Sequence, residues 1–540
     1  MQISDFKGIT QYHDGIAVSD YTNVIPLTNS CIDRQGEALV LAHTGKPLET
    51  FVDSTGVIYA AYADGVYAWQ CIEAQPGQFE LHAVGTDPSG LILQAKRYFT
   101  KATFCESATK PSQVYFCDGY NVFYWNTTNL VSSYSSVPEQ YKVRLDAFEP
   151  QQIPIFTDVT AILNPAMSGG TSGTQYGWWP EINDTNYDLT KLLKIESIAW
   201  FDNRLVLKER NYNTIYLTAV DPSRWILPSK DGMPFYPLSK TGTGGYLNSF
   251  LPNYYSSTAS SATLVDVVAF AGQLYLLNEF SIEIWSATGN DLNPIQHNSQ
   301  ATLYYGGRSP VIIADTLYLL CKDTIHNDFI AAISQGGQFQ KISNIEIERR
   351  LQKGAYRIRP LSIRDQSMIV VYSDDTYLTG YSCTGEGKWW RVLNHHPGNC
   401  LAWTICNRSG QILGISTSGA IVNTTDDHRK YCDGTPIPRW IRGAFIQCAG
   451  RKILREVEVV CDTGAHFEPA ATYRPEFYLR VSFDRGLGFG PYMYRKMGST
   501  GTNDRVMVWR NCGSGNSILL EFGTSNDTKF QIYGIRFELT

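Results

Sequence analysis

The sequence predicts an all-β protein: a β-propeller of six or seven irregular blades with long insertions, followed by a C-terminal β-sandwich. One observation is a repeated hairpin pattern, in which alternating apolar residues flank a turn of two or three residues. The other is composition, since 13% of the residues are aromatic and 18% are charged, against a usual charged share of about a quarter. Aromatic residues favour strands. Hairpins repeated over hundreds of residues indicate a repeat architecture.

The hairpin pattern is clearest at four places along the chain. Their turns contain Asp-Gly, Asp-Asn or Ala-Gly, which tolerate the positive φ angles of tight hairpins. The four hairpins are Val57–Trp69, Val114–Trp125, Ala199–Leu207 and Val268–Leu277. Including weaker repeats, the candidate units lie near 57–69, 112–125, 197–217, 265–285, 309–333, 367–382 and 401–423. A half-buried sheet of this kind cannot bury its own apolar face, so we expect radial stacking as propeller blades.

We expect three regions in a chain of 540 residues. Residues 1–50 should form an N-terminal extended arm and the first strand, residues 51–432 the propeller, and residues 433–540 the sandwich. The turn-rich run Asp433–Pro438 marks the change from propeller to sandwich.

Two long insertions interrupt the propeller, at about 126–195 and at about 226–262. The first contains Ser168–Gly173 and Trp178–Pro180, and the second is rich in Gly, Pro, Ser and Tyr. Loops of this length in a compact domain usually bind a partner or move, and exposed aromatic residues suit an interface. Either contact with a partner or packing of each insertion on itself would explain them.

Six alternating strands with Gly-rich turns predict the sandwich. They are Arg439–Gln447, Lys452–Cys461, Phe477–Phe483, Arg505–Trp509, Ile518–Phe522 and Gln531–Leu539. Between them, Asp484–Gly486 predicts a turn in which Gly486 supplies an unusual backbone angle. Val506 and Val508 share one strand face and Trp509 takes the other. We therefore expect Trp509 to be a core or an interface side chain.

The helix signal is weak throughout the chain. The best candidate is Ser343–Gln352, in which Ser343 would be the N-cap and Glu346, three residues later, would complete a capping box.

The charge balance limits the possible functions. A net charge of −6 argues against a general nucleic-acid binder held by phosphate neutralisation, although DNA could pass close by without being gripped. The start, Met1–Lys7, has no apolar signal core, and no stretch is long enough to span a bilayer. We therefore expect synthesis and folding in a cytosol.

Several polar clusters invite a chemical interpretation, but none has the required arrangement. Asp374-Asp375 and Asp426–His428 lie where turns belong, and adjacent acids on a strand point to opposite faces. His395-His396 has no companion ligand at a metal-binding spacing. Gly242–Gly245 and Gly486–Gly490 lack the following helix that a phosphate loop needs. We therefore predict no catalytic residues, no cofactor-binding residues and no metal, and hence no enzyme.

The cysteines show no regular spacing. The chain has 12, with no Cys-x-x-Cys, and the nearest pairs are Cys105 with Cys117 and Cys400 with Cys406. In a reducing compartment, free and mostly buried thiols are the expected state.

Short motifs occur in a fixed order along the chain. They are Phe6–Ile9, Tyr21–Val24, Leu274–Leu277, Ser281–Trp285, Gly306–Pro310, Gln335–Ser343, Leu479–Gly486 and Arg505–Gly513. In this order and spacing they resemble the tail hub, or nozzle, proteins of short-tailed bacteriophages, also called packaged-DNA stabilisation proteins. The resemblance covers most of the chain and is clearest over 265–352 and 475–540, whereas it is poor over 126–262.

The resemblance implies a structural protein of the virion tail, made and assembled in the bacterial host cytoplasm. Copies of the chain would form a homohexameric ring below the adaptor (the head-to-tail connector) and the portal. The ring would extend the channel for double-stranded DNA, help to retain packaged DNA and anchor a tail fibre, spike or needle protein below. DNA would pass through the lumen without sequence-specific binding. An acidic lumen would repel phosphate and let DNA slide.

Two other classes of protein remain open. A propeller-type carbohydrate-binding (adhesion) module would show more regular repeats with matching aromatic pockets. A polysaccharide-degrading enzyme would need inward-facing carboxylates from different blades, which the sequence neither shows nor excludes.

Overall fold

The structure of the protein is a computed structural model. The described residues are 2–3, 11–13, 16–18, 20–22, 24–26, 31–33, 35–75, 78–84, 88–94, 99, 101–108, 113–119, 122–126, 152–156, 195–217, 253–257, 263–290, 293–313, 315–352, 356–363, 366–373, 379–383, 389–393, 401–406, 413–416, 419–425, 427–431, 434–462, 475–498 and 505–540.

The chain divides into two compact units. The terminal unit combines Met1–Thr44 with Ile342–Thr540, and the middle unit is Gly45–Lys341. The domain boundaries expected at residues 50 and 432 are not tested by this division and stay a prediction.

The N-terminal segment supplies short strands to the terminal unit. They are Gln2–Ile3 (β1), Gln11–His13 (β2), Ile16–Val18 (β3), Asp20–Thr22 (β4), Val24–Pro26 (β5), Cys31–Asp33 (β6) and Gly36–Leu41 (β7). Among these strands β2 pairs with β3 and β5 with β6, whereas β1, β4, β6 and β7 pair with strands much later in the chain.

The middle unit consists of five consecutive antiparallel sheets, which we call blades 1 to 5. Blade 1 is Pro47–Val52 (β8), Val57–Tyr62 (β9), Gly65–Gln75 (β10), Gln78–Ala83 (β11) and Leu91–Gln94 (β12); blade 2 is Thr103–Glu106 (β13), Gln113–Cys117 (β14), Val122–Asn126 (β15) and Gln152–Phe156 (β16); blade 3 is Ile195–Phe201 (β17), Arg204–Glu209 (β18), Thr214–Leu217 (β19) and Asn253–Ser256 (β20); blade 4 is Leu264–Phe270 (β21), Gln273–Asn278 (β22), Ile282–Ala287 (β23) and Ile295–His297 (β24); blade 5 is Gly306–Ile313 (β25), Thr316–Lys322 (β26), Asp328–Ser334 (β27) and Phe339–Lys341 (β28). A short 3₁₀ helix, Ser299–Ala301, precedes blade 5.

The hairpin turns of the blades follow the sequence prediction. In blade 3 the turn residues Asp202 and Asn203 have φ angles of 48° and 58°, and in blade 4 Ala271 and Gly272 have 50° and 72°. Each pair closes its hairpin with two residues. Positive φ at both turn residues is the geometry that matches the twist of the flanking strands.

Adjacent blades bury their apolar faces against each other. The first strands β8, β13, β17, β21 and β25 contact one another in this order, and apolar clusters join blades 1 and 2, 3 and 4, and 4 and 5. In one of these clusters Val206 of blade 3 packs with Leu274 and Trp285 of blade 4. The predicted radial stacking is therefore present in this unit.

The remaining elements belong to the terminal unit. Among the described residues they are the helix Ile345–Leu351 (α1) and the strands Tyr356–Ile363 (β29), Gln366–Ser373 (β30), Thr379–Cys383 (β31), Trp389–Leu393 (β32), Leu401–Cys406 (β33), Leu413–Ser416 (β34), Ile421–Thr425 (β35), Arg439–Asp462 (β36), Glu476–Ser482 (β37), Met493–Lys496 (β38), Arg505–Thr524 (β39) and Gln531–Leu539 (β40).

The propeller arrangement has five blades, so the prediction of six or seven is wrong. Two of the seven hairpin candidates, 367–382 and 401–423, lie in the terminal unit. The sheet β29–β32 continues through β4 into β36, and β33–β35 are closed by the N-terminal strand β7. Hairpin spacing could not reveal this, because β4 and β7 are several hundred residues from their partners.

The predicted C-terminal sandwich is not confirmed. The strands after residue 438 belong to one hydrogen-bonded sheet of 13 strands, which follows the path β29-β30-β31-β32-β4-β36-β39-β37-β38 with β40, β1, β5 and β6 attached to it. Four of the six expected strands merge, because β36 runs unbroken across the turn expected near residues 448–451 and β39 runs across 510–517. Register shifts along β36 replace the expected turns.

The core of this sheet contains Trp509, as predicted. Its side chain is fully buried, its ring lies 6.4 Å from that of Phe477, and its indole nitrogen donates a hydrogen bond of 2.7 Å to the carbonyl oxygen of Met493. Val506 on the opposite face is exposed. Trp509 is thus a core side chain.

A buried charge cluster links remote parts of the terminal unit. The Asp33 carboxylate accepts hydrogen bonds from Nε of Arg429 and, at 3.1 Å, from Nη1 of Arg439. The same Nη1 donates to the carbonyl oxygen of Thr528 at 2.6 Å, and the guanidinium lies 5.4 Å from the Phe530 ring centroid. Both arginines and the aspartate are buried. The cluster therefore fixes β6 to the start of β36 and to the segment before β40.

The helix prediction needs one correction. The N-cap is Asn344, whose side-chain oxygen accepts a hydrogen bond of 2.9 Å from the Ile347 amide, and not Ser343. Ser343 instead donates to the carboxylate of Glu348 at 2.9 Å. Asparagine and serine are about equally good caps, so the sequence could not choose between neighbouring positions.

Most of the two predicted insertions lies outside the described residues. Within them, 152–156 and 253–256 are blade strands β16 and β20 and not loop. Their proposed contacts with partners stay a prediction.

Candidate interaction surfaces

Most of the polar clusters considered from the sequence lie outside the described residues. They are Asp374-Asp375, His395-His396 and Gly242–Gly245. His428 is partly buried, and burial is the main cause that lowers the pKa of its imidazole. Its Nδ1 accepts a hydrogen bond of 3.3 Å from the Lys430 amide, which is a local turn contact. No group of three or more His, Cys, Asp or Glu side chains in the described part of the chain could hold a metal ion.

The cysteines whose side chains are described are free thiols. Cys105 and Cys117 are both buried, and burial raises the pKa of each thiol above its ordinary value. The Cys117 thiol donates to the carbonyl oxygen of Ile195 at 3.1 Å. These cysteines therefore act as small core side chains. Of the other predicted pair, Cys400 lies outside the described residues, as does the side chain of Cys406.

The Glu-x-Trp motif of blade 4 joins two blades. The buried Glu283 carboxylate accepts a hydrogen bond of 3.0 Å from the indole nitrogen of Trp285 and one of 2.6 Å from the hydroxyl of Ser257. Ser257 directly follows β20 of blade 3. A buried charge paired in this way holds adjacent blades in one geometry, so the role of Glu283 is structural.

A second polar cluster connects blades 2, 3 and 4 near the start of their first strands. Asp266 of blade 4 forms an ion pair of 3.3 Å with Lys101, which precedes blade 2, and accepts a hydrogen bond from the hydroxyl of Ser197 in blade 3. Beside it, the ammonium of Lys208 contacts the carboxylate of Glu196. Burial is the largest influence on the pKa of Lys208 and lowers it, whereas Glu196 opposes that shift. Two cations and two anions balance here, which also indicates a structural role.

Gly306 marks a close approach between blades 4 and 5. A Cβ atom at this position would lie 1.9 Å from the carbonyl oxygen of Glu279, in the turn between β22 and β23. Only glycine fits here. The neighbouring Gly307 is also restricted, since a Cβ would lie 3.1 Å from the Ile282 side chain.

Exposed apolar side chains surround this approach, and we call them the apolar rim: Phe280, Tyr304 and Ile325. Their exposed fractions are 39%, 67% and 74%. The Phe280 ring also contacts the ring of His326, with centroids 5.6 Å apart. All three rim residues lie at the end of the blades where the second strand turns into the third or where the next blade begins. Exposed apolar side chains gathered in this way are typical of a surface that contacts another protein.

A second surface lies on the C-terminal sheet of the terminal unit. Five side chains form a row that we call the aromatic–arginine ladder: Arg442, Phe489, Arg480, Tyr492 and Tyr494, in which cation and ring alternate as far as Tyr492. The guanidinium of Arg442 lies 4.7 Å from the Phe489 ring centroid, and that of Arg480 lies 5.0 Å from Phe489 and 4.5 Å from Tyr492. Tyr492 stacks on Tyr494 at 5.8 Å with a 19° angle between the rings. At such distances a cation attracts an aromatic face.

The ladder rests on a buried carboxylate. Glu521 on β39 accepts hydrogen bonds from Nε of Arg442 at 3.1 Å and from Nη1 of Arg480 at 3.2 Å. The two arginines lie opposite Glu521 on the flanking strands β36 and β37. Beside them, burial is the main cause that raises the pKa of the Tyr478 phenol, with Glu521 next.

The turn that positions Phe489 is the one predicted from Asp484–Gly486. Gly486 has a φ angle of 89°, as expected, and Arg485 one of 63°. The Ser482 hydroxyl donates to the Asp484 carboxylate at 2.6 Å, and the same carboxylate oxygen accepts from the Gly488 amide at 2.9 Å. Asp484 is exposed, and these hydrogen bonds lower its pKa. The glycine-rich run is thus a structural turn between strands.

Sequence analysis did not identify the ladder. Its members come from β36, β37, β38 and the segment between β37 and β38, and their row exists only after the strands pair. The one available signal was the outward-facing alternation of Tyr492, Tyr494 and Lys496.

These features define the general class of the protein. It is an all-β protein with a propeller arrangement, and its exposed groups are suited to contact with other macromolecules. Residues 248–418 match a family model described as "Bacteriophage P22 Gp10, beta-propeller". The match supports the phage stabilisation family and confirms the resemblance drawn from the sequence. It indicates a structural protein of a bacteriophage virion and favours a protein without enzymatic activity. No curated protein matches the sequence.

Solved structures show only weak likeness to this chain. The extracellular domain of the two component system BT4673 from B. thetaiotaomicron has 9% identity and a TM-score of 0.36, over 72% of this chain and 40% of that one. A streptogramin B lyase has 8% identity and a TM-score of 0.37, over 72% of this chain and 97% of that one. The WD40 domain of Toxoplasma gondii coronin has 9% identity and a TM-score of 0.35, over 75% and 88%. Likeness at this level says nothing about function.

Within the described residues, none of the helices has the length and apolar character required to cross a membrane.

Proposed function

We propose that this chain is the tail hub, or nozzle, protein of a short-tailed bacteriophage. Its copies form a homohexameric ring below the portal and adaptor. The ring extends the DNA channel, helps to retain packaged DNA, and anchors a fibre, spike or needle protein. It works in the virion tail after assembly in the host cytoplasm.

The observation that carries this proposal is the family match over residues 248–418. The apolar rim adds support, because Phe280, Tyr304 and Ile325 all lie inside the matched range and are exposed in the single chain. A protein that assembles into a ring must bury such groups, since stable assemblies bury roughly 1,600 Å² or more in each interface.

Mass photometry and negative-stain imaging of the purified chain, alone and with an adaptor ring, test the proposal. We expect rings, or rings that form once the adaptor is present. The double variant Tyr304→Asp/Ile325→Asp should remain folded and lose assembly, because it places charges in the buried contact. Ile312→Asp is the matched control, since Ile312 is an exposed apolar residue at the opposite end of blade 5.

A chain that stays monomeric with and without the adaptor would overturn the ring. Binding to a polysaccharide array by such a monomer would favour the adhesion module, and release of reducing ends from polysaccharide would favour the enzyme.

A further inference from the structure

The exposed end of the aromatic–arginine ladder offers hydrogen-bond donors that have no acceptor. Among the described residues, Nη2 of Arg480, the hydroxyl protons of Tyr492 and Tyr494, and the ammonium of Lys496 make no hydrogen bond or ion pair, whereas the other donors of Arg480 bond to Glu521, Tyr492 and the Gly490 carbonyl. Tyr492 and Tyr494 are each 50% exposed. The surface therefore presents unbonded donors beside one exposed carboxylate, that of Glu476, which lies opposite Lys496 on β37.

Arg480 and Tyr492 are held by neighbouring side chains before any partner arrives. Arg480 lies between two aromatic rings and is bound to a buried carboxylate, and Tyr492 is flanked by Arg480 and Tyr494. Side chains that are already ordered lose little conformational entropy on binding. Rigid tyrosines supply contact area at low entropic cost.

The local charge is opposite to that of the chain. The hairpin 475–498 contains four basic residues, Arg480, Arg485, Arg495 and Lys496, against two acidic ones, whereas the whole chain carries a net charge of −6. An anionic partner is therefore attracted to this hairpin and not to the chain in general.

The spacing of the donors selects among anionic partners. Tyr492, just before β38, and Tyr494 and Lys496 within it occupy every second position, so their side chains recur at about 6.8 Å on one face. An extended polypeptide presents alternate side chains at the same interval. Glutamate or aspartate at alternate positions would meet these donors in register.

We infer that the ladder and Lys496 form a docking surface for an extended acidic segment of a partner protein. Carboxylates of that segment bind Nη2 of Arg480, the hydroxyls of Tyr492 and Tyr494, and the ammonium of Lys496. Double-stranded DNA fits less well, because its affinity depends on many phosphate-neutralising cations and only Arg480 and Lys496 present free cationic donors on this row. The inference rests on the C-terminal sheet alone and goes beyond the proposed role in the tail.

Fluorescence anisotropy with the full chain tests this surface. The probe is a labelled peptide that alternates Glu and Thr, and a peptide that alternates Gln and Thr is its neutral counterpart. We expect binding of the acidic probe only, weakened about tenfold or more by a rise in salt from about 50 to about 500 mM, because the contact is exposed.

Variants locate the binding on the ladder. Lys496→Glu should weaken the acidic probe about tenfold or more, whereas Arg455→Glu, an exposed cation on β36 with the same change in net charge, should leave it within about twofold. Tyr494→Phe keeps the ring and removes one donor, so its loss should be smaller. Thermal unfolding confirms that each variant is folded. The inference is overturned if the acidic probe does not bind, if both charge reversals weaken it equally, or if a DNA duplex of equal charge displaces it equally well.

Discussion

Replacement of Gly306 by alanine should separate blades 4 and 5. The added Cβ would lie 1.9 Å from the Glu279 carbonyl oxygen and 2.7 Å from its carbonyl carbon. A carbon–oxygen contact normally lies near 3.3 Å, so the turn would have to move by about 1.4 Å. Both neighbours are backbone atoms, which cannot rotate away as a side chain would.

The size of the effect follows from what holds that turn. The Glu279 amide donates to the Thr263 carbonyl at 3.1 Å, and the Asn278 amide donates to the Ser281 carbonyl at 2.8 Å. Overpacking costs about 1–3 kcal/mol, and each weakened hydrogen bond adds about 0.5–1.5 kcal/mol. We therefore expect Gly306→Ala to lower the free energy of unfolding by about 2–6 kcal/mol. For domains of 150–250 residues, each kcal/mol lowers Tm by about 2–4 °C, so a fall of about 4 °C or more is expected.

Differential scanning calorimetry of the full chain measures this change. Gly336→Ala is the matched control, because Gly336 lies in a turn of the same blade and its Cβ would meet only the Ser334 hydroxyl, at 3.9 Å. The control should leave Tm within about 1 °C. If Gly306→Ala unfolds at the same temperature as Gly336→Ala, the close approach does not hold the two blades together.

Three further outcomes are expected. Trp509→Ala should lower the free energy of unfolding by about 3–5 kcal/mol in chemical denaturation, because it empties a buried aromatic site. Asp33→Ala should cost a similar amount, about 3–5 kcal/mol, because it leaves the buried guanidinium groups of Arg429 and Arg439 without their shared carboxylate. By NMR titration, the Asp484 carboxyl should titrate below its ordinary value of 3.8. Since its folded pKa is lowered, the stabilisation of the turn is present above the unfolded pKa and is lost as the pH falls through the folded pKa.

Trp509→Phe keeps most of the ring volume and should therefore lower the free energy of unfolding less than Trp509→Ala. Equal losses would mean that the volume of the buried ring does not determine the loss of stability. Arg455→Ala breaks an exposed ion pair of 3.9 Å with Glu538 and should cost less than about 1 kcal/mol. An equally small loss for Asp33→Ala would show that the buried cluster contributes little. An Asp484 midpoint at or above 3.8 would contradict the role of its hydrogen bonds.

Local patterns predicted local structure well. The turn pairs Asp202-Asn203 and Ala271-Gly272 have the positive φ angles that their residue types favour. Trp509 lies on the buried face that strand alternation assigned to it. These features depend on neighbours within a few residues, so the information needed to predict them is contained in the same short stretch.

Predictions that depended on remote pairing were less successful. The expected turn near residues 448–451 became part of the continuous strand β36, whose pairing with β39 shifts register between Gln447 and Lys452 and resumes beyond it. The number of blades was wrong because β4 and β7, from the N-terminal segment, pair with strands of the second half of the chain. Periodicity within a segment does not reveal which distant segment will pair with it.

The sequence by itself determined the all-β class, the hairpin unit and the resemblance to a phage family, because alternation, turn residues and motif order are properties of the linear chain. Only the tertiary structure decided the surfaces. The alternation of Arg442, Phe489, Arg480 and Tyr492 requires that Arg480 and Arg442, which are 41 and 79 residues from Glu521 in the sequence, lie opposite it on paired strands. The physical reason is that cation–π contacts and charge pairs act over a few ångströms, and that proximity comes from backbone pairing and not from position in the sequence.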